Sequence, residues 1–445
     1  VWDCFESGLN LPVKTFLLLA LALPGVLFLV SGLLWFLGVR PSERLVARAS
    51  QAVYVFSAIT FTIEAIRIFT PGDLGLEMQL GDWFATAHSH FGVPVLIDRL
   101  SVPILWLTAL LMVLVSAFSM RYLHRDVGYV RFFNLLNLFS FGAFLVAAAG
   151  SIDVLMGGWE LVGITSVLLI GFFQQRPEPV GNALKVYGYY RIADVFLIGA
   201  VLLGHVWFGG VEFAHLPAAE GGASTRVTVV ALLMIFAACG KSSVGPFLGW
   251  LPRAMEGPTP SSAIFYGSIS VHLGAFLLLR AEPVILASPV AQAVLVVVGL
   301  GSAVIGTLTH RSSTDAKTLL AHATQTQLGL IFVEIGLGWT GIAMWHMGGH
   351  AVIRTAQFLR APSMLHEHHH VYRASGGDMK PTGSHLEAMI PRNIQVWLYR
   401  LAIGSGFYEA ALERLLIQPV CRVAGWLSVL EPAPGPRKAS TDSKH

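Results

Sequence analysis

From residue 15 to residue 359 apolar residues run in stretches of about 20, the length that carries an α-helix across a bilayer. About eleven such spans are expected. Six are clean: Thr15 to Leu37, Val102 to Ser119, Phe132 to Ala149, Val227 to Cys239 with its continuation, Ala263 to Leu279 and Val290 to Thr309. Five are polar or interrupted: Ala52 to Ile68 with Glu64 and Arg67, Val154 to Phe173 with Gly157, Gly158 and Glu160, Leu184 to Val206 with Lys185, Arg191 and Asp194, Leu319 to Leu337, and Gly341 to Leu359. The first span is long for a signal peptide, lacks a small-residue cleavage site and precedes further spans, so it is expected to be retained. Leu74 to Ile97 alternates apolar and polar positions between Gly75, Gly81 and Gly92, which predicts an external hairpin with a structural role.

Past Leu359 the pattern changes. Residues 361–390 are polar and His-rich, and are expected to form a cytoplasmic loop. Ile394 to Leu401 and Phe407 to Leu430 repeat apolar residues at helical spacing without the length or purity of a span, as helices lying on a membrane surface or against a partner do. Glu431 to His445, with Pro432, Pro434 and Pro436, is expected to be disordered.

Composition agrees with a bilayer protein. Over 445 residues, 54% are hydrophobic and only 12% charged, with a mean hydropathy of +0.65, whereas a soluble domain carries about 25% charged residues. This excludes disordered, coiled-coil and nucleic-acid-binding classes. Cys4, Cys239 and Cys421 are too scattered for a disulfide framework or a thiolate zinc site. Arg40, Arg44 and Arg48, then Arg121, Arg125 and Arg131, Arg176 and Lys185, Arg253, Arg311 and Lys317, and Arg360 and Arg373 follow alternate spans, so they share one side. The intervening loop with Asp73, Glu77, Asp82 and Asp98 is acidic. That predicts an N-terminus outside and a cytoplasmic tail, in a bacterial inner membrane.

Charges inside the spans carry the functional signal, because a lysine at a helix centre costs about 2.5–3.5 kcal/mol on insertion scales and persists when paired or hydrated. Glu160 lies early in its span between glycines that permit close helix contact, and Arg191 and Asp194 share the next polar span. Lys241 follows Gly240 and precedes Ser242-Ser243-Val244-Gly245-Pro246, a segment that cannot continue a regular helix, so a broken membrane helix with a lysine at the break is expected. Lys317 opens a later span beside Asp315, ahead of His322, Gln325, Gln327 and Glu334. His346, His350 and Arg354 follow at spacings of four, on one helix face. Together these read as stations for a proton or ion; the plain alternative is that each satisfies a neighbour in a polar helix interface. His205 and His272 are single imidazoles. His366-Glu367-His368-His369-His370 fits both H-E-x-x-H and a His-rich metal patch, but no third ligand is apparent. No phosphate loop, nucleophile elbow or dinucleotide fingerprint occurs, so neither a cofactor nor a catalytic residue is expected.

Gly158-Trp159-Glu160, Arg191-Ile192-Ala193-Asp194, Gly240-Lys241-Ser242, the stretch from Trp250-Leu251-Pro252 to Pro258-Thr259-Pro260, Asp315-Ala316-Lys317 and His346-Met347-Gly348-Gly349-His350-Ala351 resemble the antiporter-like proton-channel subunits of respiratory complex I and Mrp cation/proton antiporters. The resemblance covers about Asp98 to Leu359. It implies an all-α polytopic membrane fold in which Glu160 pairs with Lys241, Asp194 tunes the neighbouring helix, and Lys317, His346 and His350 form a central hydrated relay, with His272 beside the path. Separating a lysine from its carboxylate partner makes its proton easier to pass on. Arg354 stands where such subunits carry a lysine, and an arginine can only bias its neighbours. Tyr266 replaces a histidine.

The resemblance also divides the chain into N-terminal spans and hairpin (1–101), a first five-helix unit (102–280), a shortened second unit (281–360) and the tail (361–445). Such shortening is similar to the membrane subunit of DAB-type inorganic-carbon complexes. It implies an energy-coupling subunit, not itself an enzyme, that conducts H+ or Na+ for a cytoplasmic zinc-containing carbonic-anhydrase-like partner. The alternatives are a proton-translocating subunit of a respiratory NADH:quinone oxidoreductase or Mrp-type antiporter, and a membrane anchor whose polar residues are vestigial.

Overall fold

The computed structural model describes residues 2–70, 75–85, 90–216, 224–374 and 389–404, with scattered positions to 426; side chains are described from Val13 onward, except 84–91 and 362–374. Its long helices are α1 (Trp2–Phe36), α2 (Glu43–Ile68), α3 (Ser101–Tyr122), α4 (Tyr129–Ala147), α5 (Ile152–Ile170), α6 (Pro177–Phe208), α7 (Thr225–Ser242), α8 (Thr259–Arg280), α9 (Pro289–Ser312), α10 (Ala316–Gly336), α11 (Thr340–Ala374) and α12 (Arg392–Ile403). Among the described residues, nine helices, α1 to α9, are long and apolar enough to cross a membrane. α10 and α11, also expected to span, are helical but fall outside those nine.

Side chains set the helix starts. Ser42, Ser151, Ser224, Ser288 and Asp315 each accept a backbone N–H of the first turn of α2, α5, α7, α9 and α10, satisfying a donor that the helix leaves orphaned. Two close approaches set the packing. A Cβ on Gly158 would lie 2.6 Å from the Gly142 carbonyl, so α4 and α5 touch backbone to backbone; Gly329 of α10 does the same, with 2.5 Å to the Gly299 carbonyl of α9. α8 is buried throughout its apolar stretch, while α1, α6 and α9 bury 33% of theirs, which makes α8 the centre of the bundle and the others its outer rim.

Two strands, β1 (Leu76–Ala85) and β2 (His90–Ile97), pair antiparallel as the alternation predicts. β2 is stitched to the α4–α5 turn by Leu96 N–H to Ala148 O (2.9 Å) and Gly150 N–H to Pro94 O (2.9 Å). The same turn receives the chain leaving α6 through Phe213 N–H to Gly150 O (2.9 Å). The hairpin therefore fixes Asp98, at the head of α3, against this end of the bundle.

Two segments differ from expectation. The helix of α11 continues to Ala374, past Pro362 and through the stretch expected to be a loop. Its His366–His370 backbone is helical, but those side chains lie outside the described residues, as do those of Cys4 and Cys421, most of Phe407–Leu430 and the final proline-rich stretch. Ile394 to Leu401 falls within α12, which lies against α9.

Candidate functional site

Three polar clusters occupy the interior. The first is built by α5, α6 and the end of α7. α7 stops at Ser242 because Ser243 takes a left-handed conformation (φ 52°) and returns its N–H to Cys239. The chain beyond it forms turns and a four-residue helix, Trp250–Arg253, instead of resuming a span. Lys241, 2% exposed, thus ends its helix deep in protein. Its Nζ donates to the Trp159 carbonyl (2.8 Å) and lies over the Trp159 and Tyr190 rings at 4.8 and 5.3 Å. Each ring face offers a desolvated cation about 2 kcal/mol, only part of what removing an ammonium from water costs.

The carboxylates that could supply the rest are held by another cation. Arg191 binds both Glu160 and Asp194, the latter at 2.7 Å, and the Trp159 Nε1 donates to Asp194 (2.8 Å). Glu160 therefore pairs with Arg191 and not with Lys241 as the resemblance implied. The physical reason is reach and charge. Arg191 is one turn from Asp194 on α6 and faces α5, and its planar fork can bridge two carboxylates where an ammonium is a single point charge.

The second cluster joins α8, α10 and α11. A seven-residue π turn at Ser262–Ser268 opens the helix of α8 and lets His272 Nδ1 bond the Ser268 carbonyl. A carbonyl only accepts, so that ring carries its proton on Nδ1 and offers Nε2 as an acceptor. His350 Nδ1 lies 3.0 Å from it as donor, and Arg354 Nε lies 3.4 Å from His350 Nε2. One direction of donation runs from Arg354 through His350 and His272 to Ser268. His346, whose ring is 6.5 Å from that of His350, binds Glu334 with Nδ1 (2.8 Å) and faces Gln327 with Nε2 (2.9 Å).

Between the two lies a third group. Gln325 donates to Ser243 Oγ (2.9 Å) and to the Leu248 carbonyl (2.5 Å), tying α10 to the break beside Lys241. His322 bonds Gln325 (2.9 Å) and Thr309 (3.1 Å). These side chains border an open pocket of about 360 Å³ that also touches Glu256 and Arg253. Lys317 is set apart from the histidines: it donates to the Met255 and Gly257 carbonyls (3.4 and 3.1 Å). Gln327, which touches His346, lies ten residues farther along α10, about 15 Å at 1.5 Å per residue. Lys317 therefore makes no direct contact with His346 or His350, with which the resemblance groups it; helix direction sets it apart.

Sequence reasoning named Arg191, Glu334, Gln325 and Gln327 without giving them partners, and passed over Trp159, Tyr190 and Ser243 as site members. Gln327 and Glu334 are seven apart, on one face of α10, a spacing that could have matched them to His346. Asp153 with His205 (3.0 Å) and Asp98 with Arg280 (2.5 and 3.0 Å) had no local signal.

The family described as NADH:quinone oxidoreductase/Mrp antiporter, TM, matches residues 149–379, and the one described as NADH-Ubiquinone oxidoreductase (complex I), chain 5 N-terminus, matches residues 83–133. NADH-quinone oxidoreductase subunit L of Mycobacterium tuberculosis is 31% identical over 352 residues, 77% of this chain and 55% of that protein. NADH-ubiquinone oxidoreductase chain 5 of Cryptococcus neoformans is 32% identical over 293 residues, 65% of this chain and 44% of that protein. Among solved structures, an Mrp complex from Dietzia sp. DQ12-45-1b superposes with a TM-score of 0.64 at 26% identity, over 77% of this chain and 37% of that one. The chain spans about half the length of the curated relatives it matches.

Proposed function

The chain belongs to the NADH:quinone oxidoreductase/Mrp antiporter transmembrane family, and from that membership we propose that it translocates cations as a membrane subunit of a respiratory NADH:quinone oxidoreductase or an Mrp-type antiporter. The observation that carries the reading is the position of Lys241: an almost fully buried ammonium at a helix break, facing a carbonyl and two rings while Arg191 holds the nearest carboxylates. Glu160 and Asp194 have two cations competing for them, so a shift of either toward Lys241 changes how firmly that lysine keeps its proton. Ser243 and Gln325 lead from the break toward α10 and the pocket beside His322. His272, His346 and His350 are groups that both donate and accept, which favours protons as the cation they pass; Arg354 orients His350, and Lys317 serves at the α10 end of the path.

In this reading the chain carries no redox chemistry of its own, and its setting is an energy-transducing inner membrane with the N-terminus outside and the tail cytoplasmic. The boundaries 102–280 and 281–360 are proposed as the two helix units between which the path runs. Coupling to inorganic-carbon uptake through a carbonic-anhydrase-like partner is the less favoured reading, because the relatives are named for NADH oxidoreductases and an Mrp complex.

The test is Lys241→Met in the assembled complex reconstituted into vesicles, with gradient-driven pH change followed by a fluorescent dye. Translocation is expected to fall at least about tenfold, the effect of losing one well-placed proton-transfer group. Undiminished flux from a fully assembled variant would reduce the chain to a membrane anchor.

A further inference from the structure

Away from the polar interior, a groove of about 990 Å³ opens on the outer surface between the end of α2, the start of α3 and the first half of α11. Its walls are apolar: Phe69, Trp106, Trp345, Val352 and Ile353 are all more than a third exposed, with Trp345 at 86%. Gly341, Gly348 and Gly349 leave its α11 side smooth, and a Cβ on any of them would meet no atom within 4 Å. At the mouth stands Arg99. Its neighbour Asp98 is taken by Arg280, and Arg99 itself is exposed and has no ion-pair partner among the described residues.

The dimensions decide what fits. From Gly341 to Ile353 the groove follows twelve residues of α11, about 18 Å at 1.5 Å per residue, close to the roughly 15 Å of one leaflet's hydrocarbon. A partner helix crossing the bilayer would need an apolar track about 30 Å long. The charge is at one end only, at the level where α2 ends and α3 and α11 begin, and tryptophan indoles border it as they do at membrane boundaries. An apolar slot one leaflet deep, capped by a guanidinium that has no ion-pair partner among the described residues, matches an acyl chain with a phosphate above it.

We propose that this groove is a binding site for an anionic phospholipid, with an acyl chain along α11 and the headgroup phosphate on Arg99. The site has a structural consequence for the interior. Ile104 and Leu107 line both this groove and a void of about 10 Å³ beside His272, so they are the wall between that histidine and lipid. A seated chain adds a second apolar layer to that wall and keeps the His272–His350 pair out of contact with mobile lipid.

The experiment is native mass spectrometry of the full chain, with whatever subunits co-purify, delipidated and titrated with dioleoyl phosphatidylglycerol or dioleoyl phosphatidylcholine. The unaltered protein is expected to prefer phosphatidylglycerol by at least about fivefold, the advantage of a charge-assisted guanidinium–phosphate contact to a lipid of net negative charge. Arg99→Gln should bring the two lipids to parity. Gly349→Leu, which adds its side chain to open space and so spares the fold, should lower retention of both. Equal retention of the two lipids by the unaltered protein, or an unchanged preference in Arg99→Gln, overturns the proposal. So does photocrosslinking from a benzophenone residue at Val352 to a polypeptide in place of lipid.

Discussion

Replacing Asp98 by Asn isolates the ion pair that holds the hairpin end of the bundle together. Asp98 accepts Arg280 at 2.5 and 3.0 Å, and also the N–H groups of Leu100 (3.0 Å) and Ser101 (2.8 Å) that start α3. The Arg280 side chain is 4% exposed and lies near the Phe213 and Phe276 rings at 5.8 and 5.4 Å, so among the described residues Asp98 is its one ion-pair partner. Removing one partner of a fully buried pair costs about 3–5 kcal/mol; the Asp98 side chain is 28% exposed and lets water in, which brings the expected loss to about 2–3 kcal/mol. Arg280→Met, which strands only the half-solvated carboxylate, should cost about 1 kcal/mol, and the double variant should cost less than Asp98→Asn alone. Cys239 is fully buried and serves as the reporter: thermal unfolding in detergent is followed by its reaction with a thiol-reactive dye, with Cys4 and Cys421 replaced by Ser.

pH supplies a second reading of the same pair. Burial alone would raise the Asp98 pKa, but Arg280 and the Ser101 bonds more than offset it and hold the carboxyl below its ordinary value of 3.8. The folded value therefore lies below the unfolded one, so the carboxylate contributes its stability above about pH 4 and loses it as pH falls through the folded value. The unaltered protein should lose stability over that acid window more steeply than Asp98→Asn. If Arg280→Met proved the costlier single change, or the two losses simply added, the reasoning would be refuted.

Other expectations follow from the same geometry. Trp159→Phe removes the indole donor from Asp194 while keeping a ring near Lys241, and should cost about 1.5–3 kcal/mol of stability together with a lower translocation rate in vesicles. Gly158→Val drives a side chain into the Gly142 carbonyl and should lower stability by about 1–3 kcal/mol, with less folded protein recovered in detergent. His272→Phe interrupts the donor chain from Arg354 to Ser268 without emptying the core, and dye-monitored flux should drop about tenfold or more while the melting profile moves little.

Much of this architecture was visible before any coordinates. The spans, the hairpin between Gly75 and Gly92, and the stop after Lys241 follow from properties that neighbouring residues carry themselves: hydrophobic length, alternation, and backbone that cannot stay helical. The unsettled part concerned partners. Glu160 and Lys241 were both picked out, yet Arg191 took the carboxylate, because which cation reaches it depends on the rotation of α6 against α5. His346, His350 and Arg354 share a face by arithmetic, but that His350 meets His272 depends on a π turn in α8, which no composition rule signals.

A bilayer constrains the chain residue by residue, since each segment must hide its own backbone polar groups and show apolar side chains to lipid; that requirement is local, and the order of residues met it alone. Which buried charges meet, where Lys317 ends up relative to the histidines, and that Asp98 closes on Arg280 and not on a nearer cation are all settled by helix rotation and crossing. Those follow from the packing of many side chains at once, at distances of a few ångströms between residues as much as 182 positions apart in the chain.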